Sequence, residues 1–480
     1  MKSQFNLGLI IFNLSVAFIQ IKFFISLFFI LFVLMLENEK KNPVQVELLA
    51  PAKNFMAIKA SGPYADAVYF GVNSFNMRMN ADNFPIESLP KIANLCHNPS
   101  NPSFRKRKTY LTTNVVIYED EITELEKVIQ AAKDAEIDAV IVHDLAAIQI
   151  AKKIGIQFHI STQCNVSNSQ SAKFYEDIGA ERIVLARECS LKQIKEITKK
   201  MKSTQIEAFI HGAMCSSISG RCYLSQTLSG SQEQSANRGK CTQPCRREWK
   251  LIASDSHEFI YDGKRIFNSR DLCMINYIPD LIESGIVSFK IEGRMRHPHY
   301  VETVSRVYRE AIDAYYNGVF KQKLQKEKWI TQLKRVYNRG FTTGFYFNQA
   351  TIKDSQLNSP ANVSHFRYIE MGKILTYHPT GVAKVELNNG TLKLGDKVIV
   401  MSADGKHETY FNQIVRDIRY NGETIKITRR ATEEKPIIIT ISVDQPTNGK
   451  KIDAIYKFTD STYSAPRYDG KKRKSSYKLK

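Results

Sequence analysis

The sequence predicts a (β/α)8 barrel followed by a small antiparallel β-barrel. Three observations carry this reading. From Val46 onward, short β-branched runs alternate with amphipathic helical stretches, and strands that alternate with helices build a parallel sheet covered by those helices. After Asn358 the helical spacing disappears and strands with tight turns take over, as in small all-β modules. Cysteines gather directly after the seventh strand candidate, and the loops that follow the strands build the active site of such a barrel.

The strand candidates are VELLAPA from Val46, AVYFGV from Ala67, TYLTTNVVI from Thr109, AVIVHD from Ala139, QFHISTQ from Gln157, RIVLARE from Arg182, IEAFIHG from Ile206 and VSFKIEG from Val287. Helical spacing of apolar residues places helices at 121–135 and 191–201. Between the last two strands the alternation around Asp262 and Gly263 predicts an inserted hairpin. Helices at 300–316 and 326–337 then close the barrel domain, assigned to residues 44–357. The second domain is assigned to 358–450, with hairpin turns at Asn389-Gly390 and Asn421-Gly422. Residues 451–480 are read as a basic tail, disordered from Gly470.

Residues 1–43 are an apolar extension whose longest clean stretch, FFISLFFILFVLML, has 14 residues. That is short for a helix crossing about 30 Å of hydrocarbon, and no small-residue cleavage site follows it. Either residues 5–36 form an imperfect membrane anchor or translation begins at Met35, and the second reading is preferred. It makes the protein cytoplasmic. The 480 residues carry a net charge of +20, concentrated in RKRK at Arg105, in 195–202 and in the tail. A basic surface of this kind favours nucleic acid or an anionic membrane. The reading adopted is a nucleic-acid partner, with no stable protein partner.

Cys215, Cys222, Cys241 and Cys245, with Cys273 further on, are separated by six, eighteen and three residues within the first four. Soft thiolates gathered in one loop have the layout of a metal or iron–sulfur site. Their spacing matches neither paired zinc knuckles nor a ferredoxin run, which leaves the metal open. A disulfide framework is disfavoured because only eight cysteines serve 480 residues. Cys96, Cys164 and Cys189 are scattered and read as packing residues.

The run from Glu207 to Ser225 (EAFIHGAMCSSISGRCYLS) resembles the signature of the peptidase U-32 family, and ELLAPA, NRGKC at Asn237, NSRDL at Asn268 and SFKIEGRM at Ser288 look like family segments. The family is named for a collagenase-like protease activity, yet several members are oxygen-independent hydroxylases that carry an iron–sulfur cluster. CTQPCRREW and SFKIEGRM make the chain most similar to the prephenate-dependent hydroxylases of the tRNA wobble uridine. The resemblance implies a cluster, of the [4Fe-4S] type, on Cys215, Cys222, Cys241 and either Cys245 or Cys273. The short gap between Cys241 and Cys245 favours Cys245. It also implies tRNA as partner and prephenate as oxygen donor.

Prephenate is a dicarboxylate, and Arg187, Lys290 and Arg294 stand at or near the ends of the sixth and eighth strands, where they could clamp it by charge-assisted hydrogen bonds. Glu207 and Glu292 are the acid/base candidates. His159 and His211 are read as packing residues, and His297 with His299 as a surface feature. No HExxH zinc motif and no G-x-S-x-G elbow occurs, and Cys215 with His211 offers a protease no assured geometry.

Overall fold

The structure is a computed structural model that describes residues 45–248, 251–252, 258–259, 267–348, 351–356, 362–405 and 407–460. All elements below belong to the unit that begins at Val46. The apolar extension, Asp262, Gly263 and the tail from 461 lie outside the described residues. Among the described residues no helix is long and apolar enough to cross a membrane.

Eight parallel strands close the barrel: β1 (Glu47–Pro51), β2 (Ala67–Phe70), β3 (Lys108–Thr113), β4 (Ala139–Val142), β5 (Gln157–Ile160), β6 (Arg182–Val184), β7 (Gln205–Ala213) and, after an insertion, β11 (Ser288–Ile291). β11 pairs with both β1 and β7, which closes the ring. The helices are α1 (Phe55–Ser61), α2 (Leu89–His97), α3 (Ile122–Asp134), α4 (Leu145–Ile154), α5 (Ser169–Asp177), α6 (Leu191–Thr198), α7 (Leu224–Ser229), α8 (Ile278–Glu283), α9 (Pro298–Tyr316) and α10 (Lys323–Arg335). Their starts are chemically marked. Asp144 accepts the Ala146 N–H, and Ser190 with Gln193 forms a capping box.

Side chains alternate along the strands. Leu48, Ala50, Val68, Phe70, Leu111, Val140 and Val142 face outward into the core shared with the helices, while Leu49, Tyr69, Tyr110 and Ile141 form a separate inner cluster. Beside that inner cluster sits a buried ion network. Lys290 Nζ lies 2.7 Å from Glu207, Arg182 lies 3.1 Å from Glu207 and 2.5 Å from Glu47, and Ser288 donates to both carboxylates. Tyr110 donates its hydroxyl to Glu47 at 2.8 Å. Glu207 and Lys290, expected at the substrate, are therefore bonded to each other inside the barrel.

Within the insertion β8 (Leu251–Ile252) pairs antiparallel with β9 (Glu258–Phe259), and the turn expected at Asp262 and Gly263 lies outside the described residues. β10 (Asp271–Cys273) runs antiparallel to the end of β7, and β12 (Phe341–Thr342) runs parallel to β10.

The second domain is an antiparallel sheet of eight strands: β13 (Phe366–His378), β14 (Val382–Leu387), β15 (Lys397–Ser402), β16 (Tyr410–Ile414), β17 (Arg419–Tyr420), β18 (Glu423–Thr424), β19 (Ile437–Ser442) and β20 (Asp453–Asp460). β20 lies between β15 and β13, so the sheet continues beyond the expected boundary at 450. Asn421 and Gly422, both at positive φ, join β17 to β18 as a tight hairpin. Asn389-Gly390 makes no such hairpin, because β14 pairs with β13 and β19 while Gly390 bridges Ala431. Glu302 of α9 accepts Tyr410 Oη and Asn412 Nδ2, each at 2.6 Å, and joins this domain to the barrel. His297 stacks there on Tyr368 and His299 meets the same ring edge-on, rather than standing alone on the surface.

Burial alone pushes the Glu207 carboxyl up, but Lys290 and Arg182 outweigh it and hold the group below the usual carboxylate range. A depressed native value means that the stabilisation is complete above the unfolded carboxylate value of about 4.3 and is lost as pH falls through the native one. Glu207→Gln leaves Lys290 buried without its carboxylate and Arg182 with Glu47 alone, and should cost about 3–5 kcal/mol, read as lowered thermal and denaturant midpoints at pH 7. That difference from the parent should shrink in strong acid.

Candidate active site

β7 is the longest strand of the barrel, and its extra length creates the site. Its first part pairs in parallel with β6 and β11, and its last three residues pair antiparallel with β10. Gly212 sits at the change with φ +104, where a Cβ would lie 2.4 Å from the Glu292 carbonyl oxygen. Only glycine adopts that backbone without strain against so close a neighbour. Past Gly212 the chain leaves the barrel and delivers Cys215.

Beyond it opens a cavity of about 210 Å³ lined by Cys215, Cys241 and Cys245, by Arg78, Arg187, Arg246 and Arg296, and by Glu292. Cys222 belongs to the same group: Cys241 and Cys245 both feel its charge and that of Cys215, and Asn237 Oδ1 accepts its N–H at 2.9 Å. Burial pushes the Cys241 and Cys245 thiols up. Cys215 is held down instead, because hydrogen bonds from Ser217 and the nearby Arg187 and Arg246 outweigh its burial. Two guanidiniums also grip the chain just before Cys215. Arg187 donates to the Ala213 carbonyl at 3.0 Å, and Arg246 donates to the Met214 carbonyl at 2.7 Å and to Asn268 at 3.0 Å.

Cys273 stands elsewhere. It lies on β10 opposite His211, buried, with the Tyr308 hydroxyl 3.9 Å from its sulfur, and burial pushes its thiol up to about 11. The structure thus separates Cys273 from the other four. Cys96 and Cys189 are buried and Cys164 half-buried, away from this cavity.

Of the cations expected to clamp a dicarboxylate, Arg187 alone faces the cavity. Arg294 is buried behind the wall, donating to Thr112 at 2.9 Å, Asn76 at 3.0 Å and Asn83, so it organises the loop after β2. Arg78, on that loop, donates to Glu292 at 2.9 and 3.2 Å, and Arg187 approaches the other Glu292 oxygen at 3.8 Å. Burial raises the Glu292 carboxyl, but Arg78 and Arg187 outweigh it and keep the group ionised. Arg78, Arg246 and Arg296 were not singled out by sequence reasoning. Their one signal is position, each in a loop that follows a barrel strand.

His211 is buried among Tyr300, Tyr308 and Phe341, with Tyr308 Oη 3.3 Å from its Nδ1. Burial drops it to about 3, and it does not serve Cys215 as a base. His159 is also buried, 2.9 Å from Glu181. No three His, Cys, Asp or Glu among the described residues form a ready-made site for a single metal ion. A polynuclear cluster spaces its thiolates more widely than one ion does, and thiolate donors are what it requires. The chemistry of the four cysteines fits that group.

Fold and site define a (β/α)8-barrel enzyme with a thiol-lined cavity beyond the strand C-termini. The family model for peptidase family U32 matches residues 53–356, and the chain belongs to that family. An uncharacterized protease of Methanocaldococcus jannaschii is 41% identical over 81% of this chain and 93% of its own length. A collagenase of Porphyromonas gingivalis is 36% identical over 86% and 97%. A tRNA hydroxylation protein of Bacillus subtilis is 34% identical over 77% and 87%.

Gly212→Ala forces a side chain into the left-handed region and against the Glu292 carbonyl. It should cost at least about 1–3 kcal/mol and loosen the cysteine loop, measured as a lower melting temperature and faster proteolysis after Cys215.

Proposed function

We propose that the chain is an oxygen-independent hydroxylase of RNA that forms 5-hydroxyuridine at the tRNA wobble position with prephenate as oxygen donor. The observation that carries this reading is the convergence of three thiols and four guanidiniums on one small cavity, with the Cys222 thiol close enough to act on Cys241 and Cys245. Similarity to a protein named for tRNA hydroxylation supports the substrate class.

Cys215, Cys222, Cys241 and Cys245 would hold an iron–sulfur cluster of the [4Fe-4S] type. When bound, it supplies electron transfer that no side chain of the cavity can provide. Arg187, with Arg78 and Arg296 on the same cavity, would take the carboxylates of the donor as charge-assisted pairs. Glu292 keeps Arg78 and Arg187 turned inward by ion pairing. Met77, Met214 and Met295 supply an apolar wall against water. A cavity of about 210 Å³ admits one extruded base or one small acid rather than a folded chain.

Protein purified without oxygen should absorb broadly near 400 nm, roughly as iron–sulfur proteins do, and contain iron with acid-labile sulfide. Serine at Cys215, Cys222, Cys241 or Cys245 should abolish both signals, while Cys273→Ser keeps them. Stoichiometric zinc without sulfide overturns the cofactor assignment.

Mass spectrometry of tRNA nucleosides from cells with and without the gene tests the reaction itself. Loss of 5-hydroxyuridine and its derivatives on deletion is the expected result. Unchanged nucleosides, together with gelatin cleavage by the purified protein, would establish peptidase activity instead.

A further inference from the structure

We infer that a second cleft, behind one wall of the thiol cavity, holds unpaired nucleotides that flank the reacting base and stacks them on Tyr118 and Tyr223. The inference rests on the RNA-hydroxylase reading and adds a site to it. The wall is two crossing backbones: the Met79 N–H donates to the Gly239 carbonyl at 3.1 Å, and a Cβ on Gly239 would lie 2.1 Å from the Asn76 carbonyl oxygen. Neighbouring residues of each segment face opposite ways. Arg78 and Gly239 line the thiol cavity, whereas Met79 and Lys240 line a cleft of about 640 Å³.

Two tyrosines on this cleft are left to solvent, Tyr118 at 55% and Tyr223 at 68% exposure. Exposed rings beside a reaction cavity are stacking surfaces for bases, which all present a π-face. Tyr118 is preset. Arg238 donates to both carboxylate oxygens of Glu121 and to the Val116 carbonyl, and its guanidinium lies 5.0 Å from the Tyr118 ring centre. Tyr223 follows Cys222 in the chain, so its ring is tied to the thiol loop. The amides of Gln226 and Gln232, on the same cleft, present both donors and acceptors to base edges. On the cleft itself Arg238 is paired with Glu121, and Lys240 stands with Glu233 on the same lining, while the chain's net charge of +20 favours a polyanion over a neutral peptide as the occupant.

The test measures affinity of the full-length protein, purified without oxygen, for a fluorescein-labelled anticodon stem-loop RNA across a salt series. Tyr118→Ala and Tyr223→Ala should each weaken binding, on the order of tenfold per lost stack, with the log–log salt slope unchanged because no phosphate contact is lost. Tyr118→Phe and Tyr223→Phe should bind like the parent, which separates stacking from misfolding. Lys240→Ala should instead reduce the slope by about one unit. If the parent binds the RNA and both alanine variants bind it equally well, the cleft assignment fails while the hydroxylase reading stands. If the parent shows no RNA affinity at all, the hydroxylase reading fails and takes the cleft with it. Loss of binding to a proline-rich peptide, with RNA binding intact, would make the cleft a peptide site and overturn the inference.

Discussion

Four charged side chains sealed inside the barrel set the terms for everything above them. Glu47 on β1, Arg182 on β6, Glu207 on β7 and Lys290 on β11 meet where the first and last strands of the ring join. In so low a dielectric each carboxylate needs its cation, and the observed strand register supplies both. A one-residue slip of β11 along β7 would turn Lys290 away from Glu207, so the network holds the register from which β7 projects past the ring.

That projection is converted into a site at a single glycine, where β7 takes β10 as its partner. Beyond Gly212 the last residues of β7 are held by β10 on one side and by two guanidiniums on their carbonyls. The cysteine loop is therefore anchored at its root by backbone pairing and by Arg246, a residue of the loop itself. A site assembled this way is preorganised without a rigid element running through it. Its cations also do two jobs at once, since Arg187 braces backbone and lowers the Cys215 thiol.

All eight barrel strands were legible, because β-branched runs with helices between them admit few other arrangements. β10 was not, since three residues carry no periodicity and DLC becomes a strand only because β7 offers it an edge. β20 was hidden by its neighbourhood: residues 451–480 read as one basic tail, although AIYKF holds the β-branched and aromatic residues that strands favour. The charged residues were harder to place. Glu207 and Lys290 look like reactive groups in a linear sequence, and only the register shows them facing each other inside the ring. Cys245 could be favoured over Cys273 on loop length, while the isolation of Cys273 follows from a pairing the sequence does not display. Arg78 was missed because its partner Glu292 is more than two hundred residues away.

The thin wall between the two cavities has an evolutionary consequence. Neighbouring residues on each crossing segment answer to different constraints, Arg78 and Cys241 to the chemistry and Met79 and Lys240 to whatever lies in the cleft. Substitutions on one side leave the other side's surface in place, provided that Gly239 keeps the two backbones in contact. Lineages descended from such an ancestor can diversify what they recognise while inheriting an unaltered reaction centre, and one barrel can give rise to proteins with unlike targets.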